Sequence, residues 1–295
     1  MLVVALAVSS SGCGQRSEPT GALTQPYPVT ALGDGEESLV LDAKPKRIVA
    51  LDPGAAEMIG ALGATDRLVG APVGVKLPSG GRVSPVVKPT GQIDIPRIAK
   101  LKPDLLVATA ETDPVDVAQA ERRSGAAVYV QPSRSVDDVE RAALELGAIL
   151  GQPVEGRQLA GSIERSVAET ERRLEGVEPV TVFVDQGFFV TVSNRSLLGN
   201  LVEEAHGRNV AGKYAGLGPF PVPQLRRADP SVYLATSDSD VTLETLEQDP
   251  RTRELIAVEQ GRVVVVPTDL VTRAGPRIAK ALETIAAALH PDAFR

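Results

Sequence analysis

The sequence predicts an α/β fold of two lobes with mainly parallel sheets, joined by one long backbone helix, with a ligand cleft between the lobes. Three observations lead there. From Lys46 onward, short β-branched runs alternate with helical patterns, the signature of βαβ units. Residues 96 to 108, PRIAKLKPDLLVA, align without a gap to residues 223 to 235, PQLRRADPSVYLA, so the chain repeats itself. Between the copies lies a long stretch with two helix-start signals.

In chain order, strands are expected at Arg47–Leu51, Asp104–Thr109 and Ala126–Val130, each a buried run preceded by a proline, glycine or polar break. Ser135 with Asp138 three residues later reads as a capping box for a helix ending near Gly151. Pro153 suits the first turn of a second helix reaching about Leu174, on the order of 30 Å at about 1.5 Å per residue. Strands follow at Val180–Asp185, Ser231–Ala235 and Arg262–Val266. RIVALD (47 to 52) parallels VTVFVD (180 to 185), and ALGATDRLVG (61 to 70) parallels EEAHGRNVAG (204 to 213), so three segments repeat in the same order. The boundaries expected are 45–134 for the N-terminal lobe, 135–177 for the linking helices and 178–295 for the C-terminal lobe.

At the N-terminus, Leu2 to Val8 is an apolar run far shorter than the roughly 20 residues of a spanning helix, and it leads through Ser9, Ser10, Ser11 and Gly12 into Cys13. Residues 1–13 read as a lipoprotein signal peptide ending at a lipidated Cys13, although Ser10 stands where that pattern prefers leucine. Residues 14–44, rich in Gly, Pro, Ser and Thr, read as a flexible tether.

Composition narrows the partners. The 295 residues, 43% hydrophobic and 23% charged, can supply the cores of two ordinary domains. A formal charge of -7 without a basic face argues against nucleic acid. One cysteine excludes an intramolecular disulfide, and His206 and His290 leave little for a metal site. Neither a bound metal nor a cofactor is expected. The chain contains no G-x-S-x-G, G-x-G-x-x-G or Walker loop, so an enzyme would have to rest on Asp52, Glu111 or Asp185, each more simply a turn or strand-end residue.

The segments PKRIVALDPGAAEMIGALGATDRLVG, IPRIAKLKPDLLVA, SLLGNLVEEAHGRNVAG and VEQGRVVVVPTDLVTRAGPRIAKALETIAAALHP together resemble the helical-backbone class of periplasmic solute-binding proteins. That class delivers ferric siderophores, haem or cobalamin to ABC importers, and the resemblance covers residues 45 to 292. It implies a monomeric, extracytoplasmic receptor for a metal chelate, anchored to the membrane by lipid, with two rigid lobes. It also implies a glutamate on each lobe for docking on the permease, yet Pro96 and Pro223 occupy those positions. Either the carboxylates have shifted nearby, for example to Asp94, or the protein has left transport and acts as an envelope lipoprotein through a protein partner.

Residues expected to face the cleft are Asp52, Thr90, Glu111, Gln186, Phe188, Tyr214, Phe220, Asp269 and Arg273. Arg273 matches the family's ligand-contacting arginine, and its guanidinium suits a carboxylate or catecholate oxygen. Asp269 would orient it or take a ligand hydroxyl, and Phe188 and Phe220 would pack on a flat chelate. Glu57 reads as a local stabiliser of the first helix. A ferric siderophore ranks first, because it needs only charge complementarity and a few donors. Cobalamin falls back because the chain has no Trp and Thr90 stands where an aromatic is expected. Haem would depend on Tyr214 as axial ligand.

Overall fold

Two parallel sheets, with the helices between them, contribute to one shared apolar core. The computed structural model describes residues 27–295 apart from 36–37, 78–82 and 217. Cys13 and the expected signal segment lie outside the described residues.

The described chain opens with two short strands, β1 (Val29–Ala31) and β2 (Leu39–Leu41), paired antiparallel with Val29 opposite Leu41. Next come β3 (Ile48–Ala50), α1 (Pro53–Ala61), β4 (Leu68–Pro72), β5 (Ser84–Val87), α2 (Ile95–Leu101), β6 (Leu105–Thr109), α3 (Pro114–Ser124) and β7 (Ala127–Gln131). Helices α4 (Val136–Ile149) and α5 (Pro153–Leu174) then lead to β8 (Val180–Asp185), α6 (Leu197–Glu204), β9 (Gly207–Asn209) and α7 (Val222–Ala228). The chain ends with β10 (Val232–Thr236), α8 (Leu243–Gln248), α9 (Ile256–Glu259), β11 (Val263–Val266), α10 (Thr268–Val271) and α11 (Ile278–Leu289). Among the described residues no helix is long and apolar enough to cross a membrane.

The N-terminal sheet runs β5-β4-β3-β6-β7 and the C-terminal sheet β11-β10-β8-β9, with every neighbouring pair parallel. Parallel strands covered on both faces read as unbroken apolar runs, and β6 (LLVAT) and β10 (VYLAT) are buried throughout. Their period of two sorts the side chains. Ile48, Ala50, Leu105 and Val107 from one sheet join Val182, Val184, Val232 and Leu234 from the other in a single central core. The alternate residues face outward into two separate cores, Val49, Leu106 and Ala108 under α2 and α3, and Phe183 and Tyr233 under α7 and α8.

The linking helices match the sequence reading. Ser135 Oγ accepts from Asp138 N at 3.0 Å, although the Asp138 carboxylate accepts in return from the amide of Arg134, at 3.0 Å, one residue early for a capping box. The two helices pack backbone to backbone, since a Cβ on Gly147 would meet Gly156 Cα at 2.8 Å. Helix α11 lies against both α5 and α6 and supplies Leu282, Ile285 and Leu289 to the central core.

The tether expectation for 14–44 is corrected from Tyr27 onward. Val29 and Ala31 are 4% exposed, Tyr27 Oη donates to Ile149 O at 2.7 Å, and Arg134 pairs with Asp34 at 2.7 Å. Strand β1 lies on α4 and β2 on β7, so the segment is a strap across the N-terminal lobe. Each strand has only three residues, too few for periodicity to register.

Candidate functional site

Strand order places the site. In each sheet the chain starts at an inner strand and winds off both ways, which leaves a crevice at the carboxyl ends of β3 and β6 and another at those of β8 and β10. Asp52 and Glu111 flank the first crevice, and Gln186 to Phe189 flank the second.

Helix α1 begins where Pro53 fits the first helical position and Asp52 caps it, its Oδ1 accepting from Gly54 N at 2.7 Å and Ala55 N at 3.3 Å. Burial raises the Asp52 carboxyl pKa, opposed by those two cap bonds and by Arg273, while Glu111 pushes it further up. Asp52 is therefore committed to the helix.

The loop between α10 and α11 packs on that helix start. A Cβ on Gly54 would sit 2.7 Å from Ala274 O, so glycine is what lets the lobes approach here. The buried Gln131, at the end of β7, donates from Nε2 to the same carbonyl at 2.7 Å. Arg273 Nη1 donates to Glu57 Oε1 at 2.7 Å, and Arg277 Nε donates to Glu57 Oε2 at 3.1 Å. Asp269 approaches both guanidinium groups, at 3.8 and 3.6 Å. Hydrogen bonding to Glu57 leads the causes that hold the Arg277 pKa above its ordinary value.

These groups border a cavity of about 400 Å³ lined by Glu57, Ala61, Gly74 and Lys76 from one lobe and Asp269, Arg273, Pro276 and Arg277 from the other. Three cations and two carboxylates line it, leaving one net positive charge. Such a volume lies within the roughly 300 to 1,000 Å³ of small-molecule sites.

Asp52, Glu111, Asp269 and Arg273 are thus brought together around the start of α1. Glu57 proves to be a tie between lobes, where the sequence reading made it a local stabiliser. Its partners are 216 and 220 residues away. As the only charged residue in PGAAEMIGA it was the available signal. Lys76 and Arg277 were missed as well.

The other expected residues lie apart. Phe220 is 5% exposed and packs on Phe183 and Tyr214 at centroid distances of 5.5 and 5.2 Å, which makes it core and corrects its reading as a ligand platform. Tyr214 is half-buried on Phe220 and donates its hydroxyl to Pro219 O at 3.1 Å. Gln186 is half-buried, its amide donating to Val190 O at 2.7 Å, and Thr90 is exposed in the turn before α2. His206 Nδ1 and His290 Nε2 each lie 3.1 Å from a backbone carbonyl, of Val177 and Ala205.

Phe188 has a different setting. It is 90% exposed and left-handed, with φ of 54°, between Gly187 at 109° and Phe189 at 62°. Buried Asp185 holds the turn, accepting from Gly187 N at 2.7 Å and Tyr233 Oη at 2.6 Å. Left-handed non-glycine backbone costs on the order of 1–3 kcal/mol per residue and persists where surroundings enforce it. Here it presents an aromatic ring beyond the carboxyl end of β8.

The family model described as periplasmic binding protein matches residues 48–270. The uncharacterized ABC transporter substrate-binding lipoprotein YvrC of Bacillus subtilis is 25% identical over 98% of this chain and 95% of the relative. A cobalamin-binding protein of Halobacterium salinarum is 26% identical over 98% and 84%. Among solved structures, the periplasmic heme-binding protein RhuT of Roseiflexus superposes with a TM-score of 0.72 at 21% identity, covering 84% of this chain and 99% of that one. The vitamin B12-binding protein BtuF of Vibrio cholerae gives 0.71 at 20%, covering 85% and 98%.

Proposed function

The chain belongs to the periplasmic binding protein family, and on that premise we propose that it is the extracytoplasmic substrate-binding component of an ABC importer, taking a metal chelate between its lobes. The observation that carries this is the cavity of about 400 Å³ to which both lobes contribute charged side chains. Lipid attachment at Cys13 and a monomeric state belong to the same reading, which needs no catalysis.

A ferric siderophore is the first ligand class. A net positive lining favours an anionic chelate, and Arg273, Arg277 and Lys76 supply donors to its oxygens. Asp269, with its side chain 56% exposed, is available to a ligand hydroxyl. A corrinoid is the second, supported by the relatives named for cobalamin and by the exposed ring of Phe188, which suits a macrocycle face. Haem has the least support, because the Tyr214 hydroxyl is already engaged.

Titration of the protein from residue 27 onward with ferric siderophores, cobalamin and haem, read by calorimetry and thermal shift, tests the proposal. A ligand at about 100 times its dissociation constant adds about 2.7 kcal/mol to stability. Binding of one class alone identifies the cargo. Absence of binding across all three favours the envelope lipoprotein that has left transport.

A further inference from the structure

We propose that the chelate this protein takes is amphiphilic, and that a groove beside the cavity between the lobes holds its aliphatic chain. This rests on the receptor reading above and names the kind of chelate. The groove encloses about 270 Å³ beside the end of β4 and the start of β5, lined by Pro72, Val73, Val75, Leu77, Val83 and Pro85. Among the described residues no charged or hydrogen-bonding side chain lines it. Its cause is local. The pairing of β4 with β5 slips between Ala71 and Pro72, and the prolines at 72 and 85 have no amide to close the ladder there.

Groove and cavity share Gly74. A Cβ there would meet nothing within 4 Å, so no atom crowds the passage on that side. From Gly74 onward the chain separates two chemistries. Val75 and Leu77 line the groove, and Lys76 lines the cavity with Arg273 and Arg277. One wall therefore presents a cation to an anionic head on one side and hydrocarbon to a chain on the other.

The occupant follows from what the groove lacks. Small-molecule sites enclose roughly 300 to 1,000 Å³ and fix their ligands with a few polar groups. This groove is smaller and offers no polar side chain, so it does not orient a ligand by itself. It gains affinity only for hydrocarbon attached to a head that is held next door. Val73 is 50% exposed, and Val75, Leu77 and Val83 are half-buried, so an aliphatic chain laid there removes water from itself and from these side chains.

The test titrates the full chain, by calorimetry, with ferric tris-catecholates that differ only in carrying an acetyl, octanoyl or dodecanoyl amide, and with dodecanoate as a metal-free probe. Each fully buried methylene adds about fourfold in affinity, so in a half-open groove the octanoyl chelate is expected to bind about fiftyfold tighter than the acetyl one. V73D puts a carboxylate in the groove and is expected to bring that ratio near one, while V115D, at an exposed valine of α3 outside the groove, keeps it. A ratio near one in the wild type, as follows if the protein itself fills the groove, or a ratio that V73D leaves intact, would overturn the proposal. Acetyl chelate that binds with no gain from the longer chains leaves the receptor reading standing. Dodecanoate that binds in a V73D-sensitive way while no chelate binds undoes the receptor reading and leaves the groove, and binding of neither undoes both.

Discussion

Arg273 of the C-terminal lobe donates to Glu57 of the N-terminal lobe at 2.7 Å, across 216 residues of sequence. The Glu57 side chain is 10% exposed and those of Arg273 and Arg277 are 27% and 44%, so the tie is half-shielded from water. Removing the carboxylate leaves two guanidinium groups facing each other. Glu57→Gln is expected to cost about 1–2 kcal/mol, which lowers the melting temperature by roughly 3–6 °C. The same change frees Arg273, so affinity for an anionic chelate should rise severalfold, whereas Arg273→Ala should lower it. Calorimetric titration of the two variants checks the opposite signs.

Gly54 sets the distance between the lobes. Gly54→Ala puts a methyl 2.7 Å from Ala274 O and is expected to destabilise by about 1–3 kcal/mol and weaken chelate binding. Gly63→Ala is the control, with φ of 72° but nothing within 4 Å. It should cost about 1 kcal/mol and leave binding unchanged. Urea unfolding of both, read beside ligand titration, separates strain from interface loss.

Two phenylalanines should respond in opposite ways. Phe220→Ala is expected to cost about 3–5 kcal/mol, since the ring is part of an aromatic cluster. Phe188→Gly removes a ring that is 90% exposed and relieves left-handed strain, so stability should rise by about 1 kcal/mol. If that ring packs on the ligand, the gain in melting temperature comes with a fall in affinity.

Burial pushes the Glu204 carboxyl up from 4.5 to about 7, aided by Asp137, Glu171 and Glu140 and opposed by a hydrogen bond from Asn200. A folded-state pKa above the unfolded one means the native state holds its proton longer. The stabilising contribution is complete below pH 4.5 and is lost as pH rises towards about 7. With the site partly open to solvent, the loss is ~1–2 kcal/mol. Glu204→Gln should flatten the profile of urea midpoint against pH over that interval.

Strand β8 (Val180–Asp185) and helix α5 (Pro153–Leu174) coincide with the residues read from the sequence, and the other expected strands start one residue late. Strong apolar runs and proline at a helix start are local signals. Strands β4 (LVGAP), β5 (SPVV) and β9 (GRN) were not legible, because glycine, proline or brevity hides them and pairing with a neighbour makes them strands. The site divides the same way. Asp52, Glu111, Asp269 and Arg273 could be named from their loops. Glu57 could not be assigned its role, because an ion pair between distant segments leaves no trace in either one alone.

The apolar residues of both sheets and of α11 merge into one central core. Each lobe keeps a smaller core of its own, under α2 and α3 or under α7 and α8, but the largest one is held in common. The two halves of the repeat are accordingly not interchangeable modules. A chimera that grafts one lobe onto a relative's other lobe must rewrite the shared packing of α4, α5 and α11, so specificity in such a molecule evolves through its loops and not by swapping lobes.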